Sequence, residues 1–109
     1  MTIPEGVTRI GCSAFENCKR LSCVTVPDSV TSIGKEVFLG CTCLHSIAIP
    51  AGITSIDKEA FRGCTMLASV TFGGSRSSWK SISFGVDWNC NTGNYTVICK
   101  NGTLTKSKS

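Results

Sequence analysis

Pro27-Asp28-Ser29-Val30-Thr31-Ser32-Ile33-Gly34-Lys35-Glu36-Val37-Phe38-Leu39-Gly40-Cys41-Thr42-Cys43-Leu44-His45-Ser46-Ile47-Ala48-Ile49 is one period of an internal repeat 23 residues long. A step of 23 residues to either side finds the same residue types again. Pro4 and Pro50 flank Pro27, and the columns Val7/Val30/Ile53, Thr8/Thr31/Thr54 and Ile10/Ile33/Ile56 follow in register. Phe15/Phe38/Phe61, Cys18/Cys41/Cys64 and Leu21/Leu44/Leu67 continue it, and Val24/Ile47/Val70 and Val26/Ile49/Phe72 close the unit. So many aligned columns in three copies are not coincidence, and a period between about 20 and 50 residues is the mark of stacked coils.

Within a period the local signals alternate. Leu21-Ser22-Cys23-Val24-Thr25-Val26 ends in period-2 alternation and predicts a short strand with Val24 and Val26 facing inward. Pro27 cannot donate to a further ladder bond and suits a turn through Asp28-Ser29. Val30-Thr31-Ser32-Ile33, largely β-branched, predicts a second strand, and Gly34 to Cys41 predicts a helical turn or two closed by Gly40. One such coil cannot bury its own Val, Ile, Phe and Leu. Stacking like on like, about 4.8 Å apart where strands pair, joins these columns into a continuous core.

The unit I-P-x-x-V-T-x-I-x-x-x-A/V-F-x-x-C-x-x-L-x-x-V/I-x-V/I resembles the BspA-like leucine-rich repeat from Ile3 to Phe72. Asp57 departs from the glycine at Gly11 and Gly34, and Cys12, Cys23, Cys43 and Cys90 stand where polar residues are expected. The segment with Trp79, Trp88 and Asn91-Thr92-Gly93-Asn94-Tyr95-Thr96-Val97 is similar to one that often follows such repeats. The resemblance implies a leucine-rich-repeat solenoid, a right-handed superhelix of short β-strands with short helical turns. It also implies an extracellular or cell-surface protein used in adhesion and protein binding, with host or extracellular matrix proteins as partners.

The period stops near Gly73-Gly74, which divides the chain into three repeats over 1–72 and a C-terminal capping segment over 73–109. Ser75 to Ile82 predicts a short helix, with Ser75 or Ser77 as N-cap and Trp79 with Ile82 on one face. Asn94 to Cys99 predicts a strand, returned antiparallel through Asn101-Gly102 by Thr103-Leu104-Thr105. Helix and hairpin together would cover the open end of the stack. The N-terminal coil has no such cover, so the chain reads as a fragment of a longer solenoid, able to self-associate through that uncapped coil.

Composition agrees with a folded domain. The 109 residues are 41% hydrophobic and 17% charged, which excludes a disordered chain. No apolar run approaches a membrane span, and Met1 to Gly6 has neither the basic nor the apolar region of a signal peptide. The net charge of +4 lies wholly beyond residue 72, where five basic residues face Asp87 alone. It reads as a solvated end with a frayed Ser/Lys tail and not as a polyanion site, since heparin or nucleic acid would want a denser cluster interleaved with aromatics.

The eight cysteines suggest a disulfide scaffold at first sight. Cys18, Cys41 and Cys64, however, are one position seen three times, a line down the stack with no tetrahedral metal spacing, and they read as buried thiols. A bridge between Cys90 and Cys99 is left open. His45 starts a strand without a triad partner, and no catalytic or cofactor motif occurs. A non-catalytic binding role then falls to the outward strand positions Cys23 and Thr25, Ser46 and Ala48, Ser69 and Thr71. The alternative is a structural spacer whose binding region lies elsewhere in a longer protein.

Overall fold

The structure is a computed structural model that describes residues 3–106. Met1, Thr2 and the end of the Ser/Lys tail expected to fray lie outside the described residues. The chain winds as a β-solenoid of about four coils. The second strand signal of each coil gives β1 (Arg9–Ile10), β3 (Ser32–Ile33), β5 (Ser55–Ile56) and β7 (Ser83–Phe84), a parallel four-stranded sheet in the order β1-β3-β5-β7. The longer signal gives β2 (Cys23–Thr25), β4 (Ser46–Ile49), β6 (Ser69–Phe72), β8 (Thr96–Cys99) and β9 (Gly102–Thr105). These form a second sheet in the order β2-β4-β6-β8-β9, parallel until β9 returns antiparallel to β8.

The apolar columns named above become the core. Val30, Val37, Phe38, Cys41, Leu44, Ile56, Ala60 and Cys64 are all 0% exposed, and no polar or charged residue is buried among those described. The Phe15, Phe38 and Phe61 rings stack with centroids 5.6 and 5.2 Å apart and interplanar angles of 7° and 17°. In the first coil Val7, Phe15, Cys18 and Leu21 are only partly buried, since among the described residues no coil packs on their other side.

The third side of each coil refines the expected helical turns. Ser13, Phe15 and Asn17 donate their backbone N–H to the carbonyls of Lys35, Val37 and Leu39 in the next coil. Glu36, Phe38 and Gly40 do the same to Lys58, Ala60 and Arg62, and Glu59, Phe61 and Gly63 to Val86, Trp88 and Cys90. The intervening amides close single i→i−3 turns, such as Ala14 to Gly11 and Cys18 to Phe15. A helix would need these alternate amides for itself, so the segment stays a chain of turns. The geometry demands left-handed residues at two columns. Ser13, Glu36, Glu59 and Asp87 fill one, and Asn17 (φ 59°), Gly40 (φ 73°), Gly63 (φ 81°) and Asn91 (φ 58°) fill the other.

The last two columns show that winding continues past Gly74. β7 pairs with β5 as Ser55 with Ser83, and β8 pairs with β6 as Val70 with Val97, so residues 83–99 form a fourth coil. The added residues go into α1 (Arg76–Lys80), with Ser75 as N-cap: its Oγ accepts from the Ser78 N–H at 3.1 Å. Gly74 lets α1 and the Phe72 ring close in together, because a Cβ there would sit 2.8 Å from that ring and 3.3 Å from the Ser78 Cβ of α1. Trp79, Phe72, Phe84, Trp88 and Tyr95 cluster at this end, and Trp88 meets Phe61 edge-on at 6.0 Å and 80°.

The hairpin differs from expectation by one residue. Cys99 pairs with Gly102, so the link is Lys100-Asn101 and Gly102 opens β9. A turn on Asn101-Gly102 would set Lys106 opposite Val97. The observed register puts Leu104 there instead, 7% exposed, so the buried Val97 is paired with an apolar side chain and not with a lysine.

Candidate protein-binding surface

The longer strands alternate between the core and solvent. Inward go Val24, Ile47, Val70, Val97 and Leu104, and their neighbours stand on the outer face. Register then gathers all six expected residues. Cys23 lies beside Ser46 and Ser46 beside Ser69, while Thr25 lies beside Ala48 and Ala48 beside Thr71. The two rows run further than the sequence reading carried them. Ser69 continues to Thr96 and Thr105, and Thr71 continues to Ile98 and Thr103.

These four residues went unassigned because the tail lacks the 23-residue step, although Thr96-Val97-Ile98-Cys99 alternates as the other strands do. Ile98 changes the character of the face. It is a branched apolar side chain left 44% exposed among threonines and serines. The ten outward positions carry no charged residue, and inward residues recur by type while outward ones change from coil to coil.

The other candidate groups have structural roles. The Cys41 Sγ donates to the Phe15 carbonyl and the Cys64 Sγ to the Phe38 carbonyl, both at 3.1 Å, so each thiol ties its coil to the one before. Burial pushes the Cys64 thiol up to about 12, with Cys41 adding to it, and burial also raises Cys41 and Cys99. Cys90 and Cys99 are unbridged thiols. His45 is exposed, and its backbone N–H donates to the Ser22 carbonyl. The threonine column is a ladder: Thr31 Oγ1 donates to the Thr8 carbonyl at 3.2 Å and Thr54 Oγ1 to the Thr31 carbonyl at 3.0 Å.

The repeat geometry has a match among known families. A model of the BspA type leucine rich repeat region, in six copies, matches residues 1–107. The chain belongs to the BspA-type leucine-rich repeat family. Its fold is similar to the crystal structure of a leucine-rich repeat protein of T. pallidum, with a TM-score of 0.62 and 32% identity. That likeness covers 68% of this chain and 40% of that one. A leucine-rich cell surface protein of Faecalibacterium prausnitzii is 31% identical over 76% of this chain and 34% of its own, with a TM-score of 0.44. The BspA-type chain thus spans less than half the length of either protein. Among curated proteins no match is found. No helix among the described residues is long and apolar enough to cross a membrane.

Proposed function

We propose that this BspA-type chain is a non-catalytic binding or adhesion module of an extracellular or cell-surface protein, which docks a protein partner on the outer face of the five-stranded sheet. The observation that carries the reading is the continuity of that face. Cys23, Thr25, Ser46, Ala48, Ser69 and Thr71 stand in two rows that run on through Thr96 and Ile98 to β9. Small uncharged side chains let a partner's backbone approach closely, and Ile98 supplies one apolar anchor.

Size sets the expected strength. Strands about 4.8 Å apart, each presenting about 10–13 Å of length, give five strands an area of about 250–300 Å². A standard interface buries about 800 Å² on each partner, so this face alone supports a weak contact. Each further coil in a longer protein would add about 50–60 Å² of strand face. Binding to host or extracellular matrix proteins is therefore expected in the micromolar range for this segment.

The spacer reading has one observation in its favour, the lack of outward Tyr, Trp or Arg on this face. Biolayer interferometry against a panel of purified matrix proteins and host ectodomains separates the two. Ser46→Arg, Thr71→Trp and Ile98→Asp should each weaken a bound partner about tenfold or more. A partner that keeps its affinity through all three substitutions binds off this face and overturns the strand-face reading, whereas a chain that binds nothing on the panel is a spacer.

A further inference from the structure

We propose that α1 and the β8–β9 turn form a second contact surface, a basic groove that takes an acidic segment of a partner protein. The inference stands apart from the strand face and starts from the break in the repeat. Between β3 and β5 the step is 23 residues, and between β5 and β7 it is 28. In stacked repeats insertions collect on one face, and that face is commonly the binding one.

The inserted residues are charged in one sense. Arg76 and Lys80 lie one turn apart and share a face of α1, both exposed, while Trp79 is buried against the core. The turn holds them in place. The Lys100 N–H donates to the Gly74 carbonyl at 2.8 Å, and the Arg76 N–H donates to Asn101 Oδ1 at 2.9 Å. The Arg76 side chain lies over Gly102, where a Cβ would stand 3.2–3.4 Å from its Nε, Cδ and Cζ. Between helix and hairpin runs a groove of about 390 Å³ lined by Arg76, Ser77, Lys80, Asn101 and Leu104.

The lining can give hydrogen bonds but take few. Arg76 and Lys80 only donate, the Ser77 hydroxyl can donate, and the Asn101 carbonyl oxygen is already used by Arg76, which leaves its amide hydrogens. Such a set fits a carboxylate, with arginine as the planar fork that binds one bidentately. No side-chain carboxylate of the described residues lines the groove. Among the described residues the one ion pair is Arg62 with Glu59, and residues 73–109 hold five basic groups against Asp87. A single-stranded nucleic acid would want exposed aromatics for stacking beside the cations, and Trp79 is 0% exposed. The volume, within the range of about 300–1,000 Å³ usual for ligand sites, suits one or two acidic side chains.

Fluorescence anisotropy of a labelled hexapeptide of alternating aspartate and glutamate tests this with the whole chain. Binding is expected at low salt, falling as ionic strength rises toward the physiological Debye length of about 8 Å. Arg76→Glu with Lys80→Glu should bind about tenfold more weakly, as two exposed attractions become repulsions. Lys19→Glu with Arg20→Glu, the same charge change on the first coil, should stay within about twofold, and Thr71→Trp on the strand face should have no effect. Tryptophan fluorescence from Trp79 and Trp88 reports whether this end of the stack stays folded, and Arg76→Gln with Lys80→Gln must still weaken binding if the reversals disturb it. No binding at low salt, an equal loss in the Lys19/Arg20 control, or tighter binding of a short polyphosphate than of the peptide would overturn the proposal.

Discussion

Cys64 shows how one side chain reports its place in the stack. Its thiol donates to the Phe38 carbonyl, which also accepts the Cys41 N–H, so the two lone pairs of that oxygen are both used. Cys64 is 0% exposed, and burial pushes its thiol up to about 12 from an ordinary 9.0. The proton is thus held tighter in the folded chain than in the unfolded one. Below about pH 9 both states carry it and the contribution to stability is complete. Between about pH 9 and 12 the unfolded chain has lost the proton and the folded chain keeps it, so stability falls by about 1.4 kcal/mol per pH unit for this group. Cys41 shifts in the same direction and adds to the slope. Urea midpoints followed by tryptophan fluorescence from about pH 8 to 11 should therefore drop steeply in the native chain and less steeply in Cys64→Ser, which keeps a donor without the titration. Equal slopes would mean that the thiolate is tolerated in the core.

At the scale of elements α1 is the informative one, because it is the piece that hid the fourth coil. Ser75 and Ser77 both look like N-caps in the sequence, and the Ser75 Oγ accepts from the Ser78 N–H and donates to the Ser78 Oγ. Ser75→Ala should cost about 1 kcal/mol and lower the melting midpoint by about 4–8 °C, while Ser77→Ala, exposed and outside the cap, should leave it nearly unchanged. A scanning calorimeter decides between them, and equal midpoints would deny the cap its role. The same helix explains what could be read in advance. Coils one to three are legible because each column meets the same surroundings and so keeps the same residue type, as Phe15, Phe38 and Phe61 do. In the fourth coil the backbone pattern persists, with Asp87 and Asn91 at the left-handed columns, but the helix shifts the count and the side chains change. Trp88 gives its carbonyl to Phe61 where Ala60 gives its own to Phe38, because among the described residues the fourth coil is flanked by β9 and not by a further coil to match. The strand face was half legible for the same reason. Six of its residues follow from the period, and Thr96, Ile98, Thr103 and Thr105 depend on a register that only the folded tail sets.

Over the whole molecule stability should run along one axis. Each coil contacts only its neighbours, so the energy is close to a sum of coil terms and interface terms. The first coil has one neighbour, through the Phe15–Phe38 stack and the amides of Ser13, Phe15 and Asn17. The second and third have neighbours on both sides, and the fourth is backed by β9 and the aromatic cluster. Phe15 is partly buried, whereas Phe38 is 0% and Phe61 1% exposed. Amide hydrogen exchange should thus be slower at Phe38 and Phe61 than at Phe15, although all three amides make the same kind of bond to the next coil. Phe38→Ala sharpens the test. Removing this ring should cost about 3–5 kcal/mol, a large part of the about 5–15 kcal/mol that a domain of this kind holds. It also removes the ring on which Phe15 stacks, while Val70, Val97 and Leu104 keep their partners in the five-stranded sheet. Exchange at Ser13, Phe15 and Asn17 should accelerate far more than at Val97 or Ile98. A uniform acceleration across all coils would show a molecule that opens as one cooperative unit, and the nearest-neighbour picture would fail.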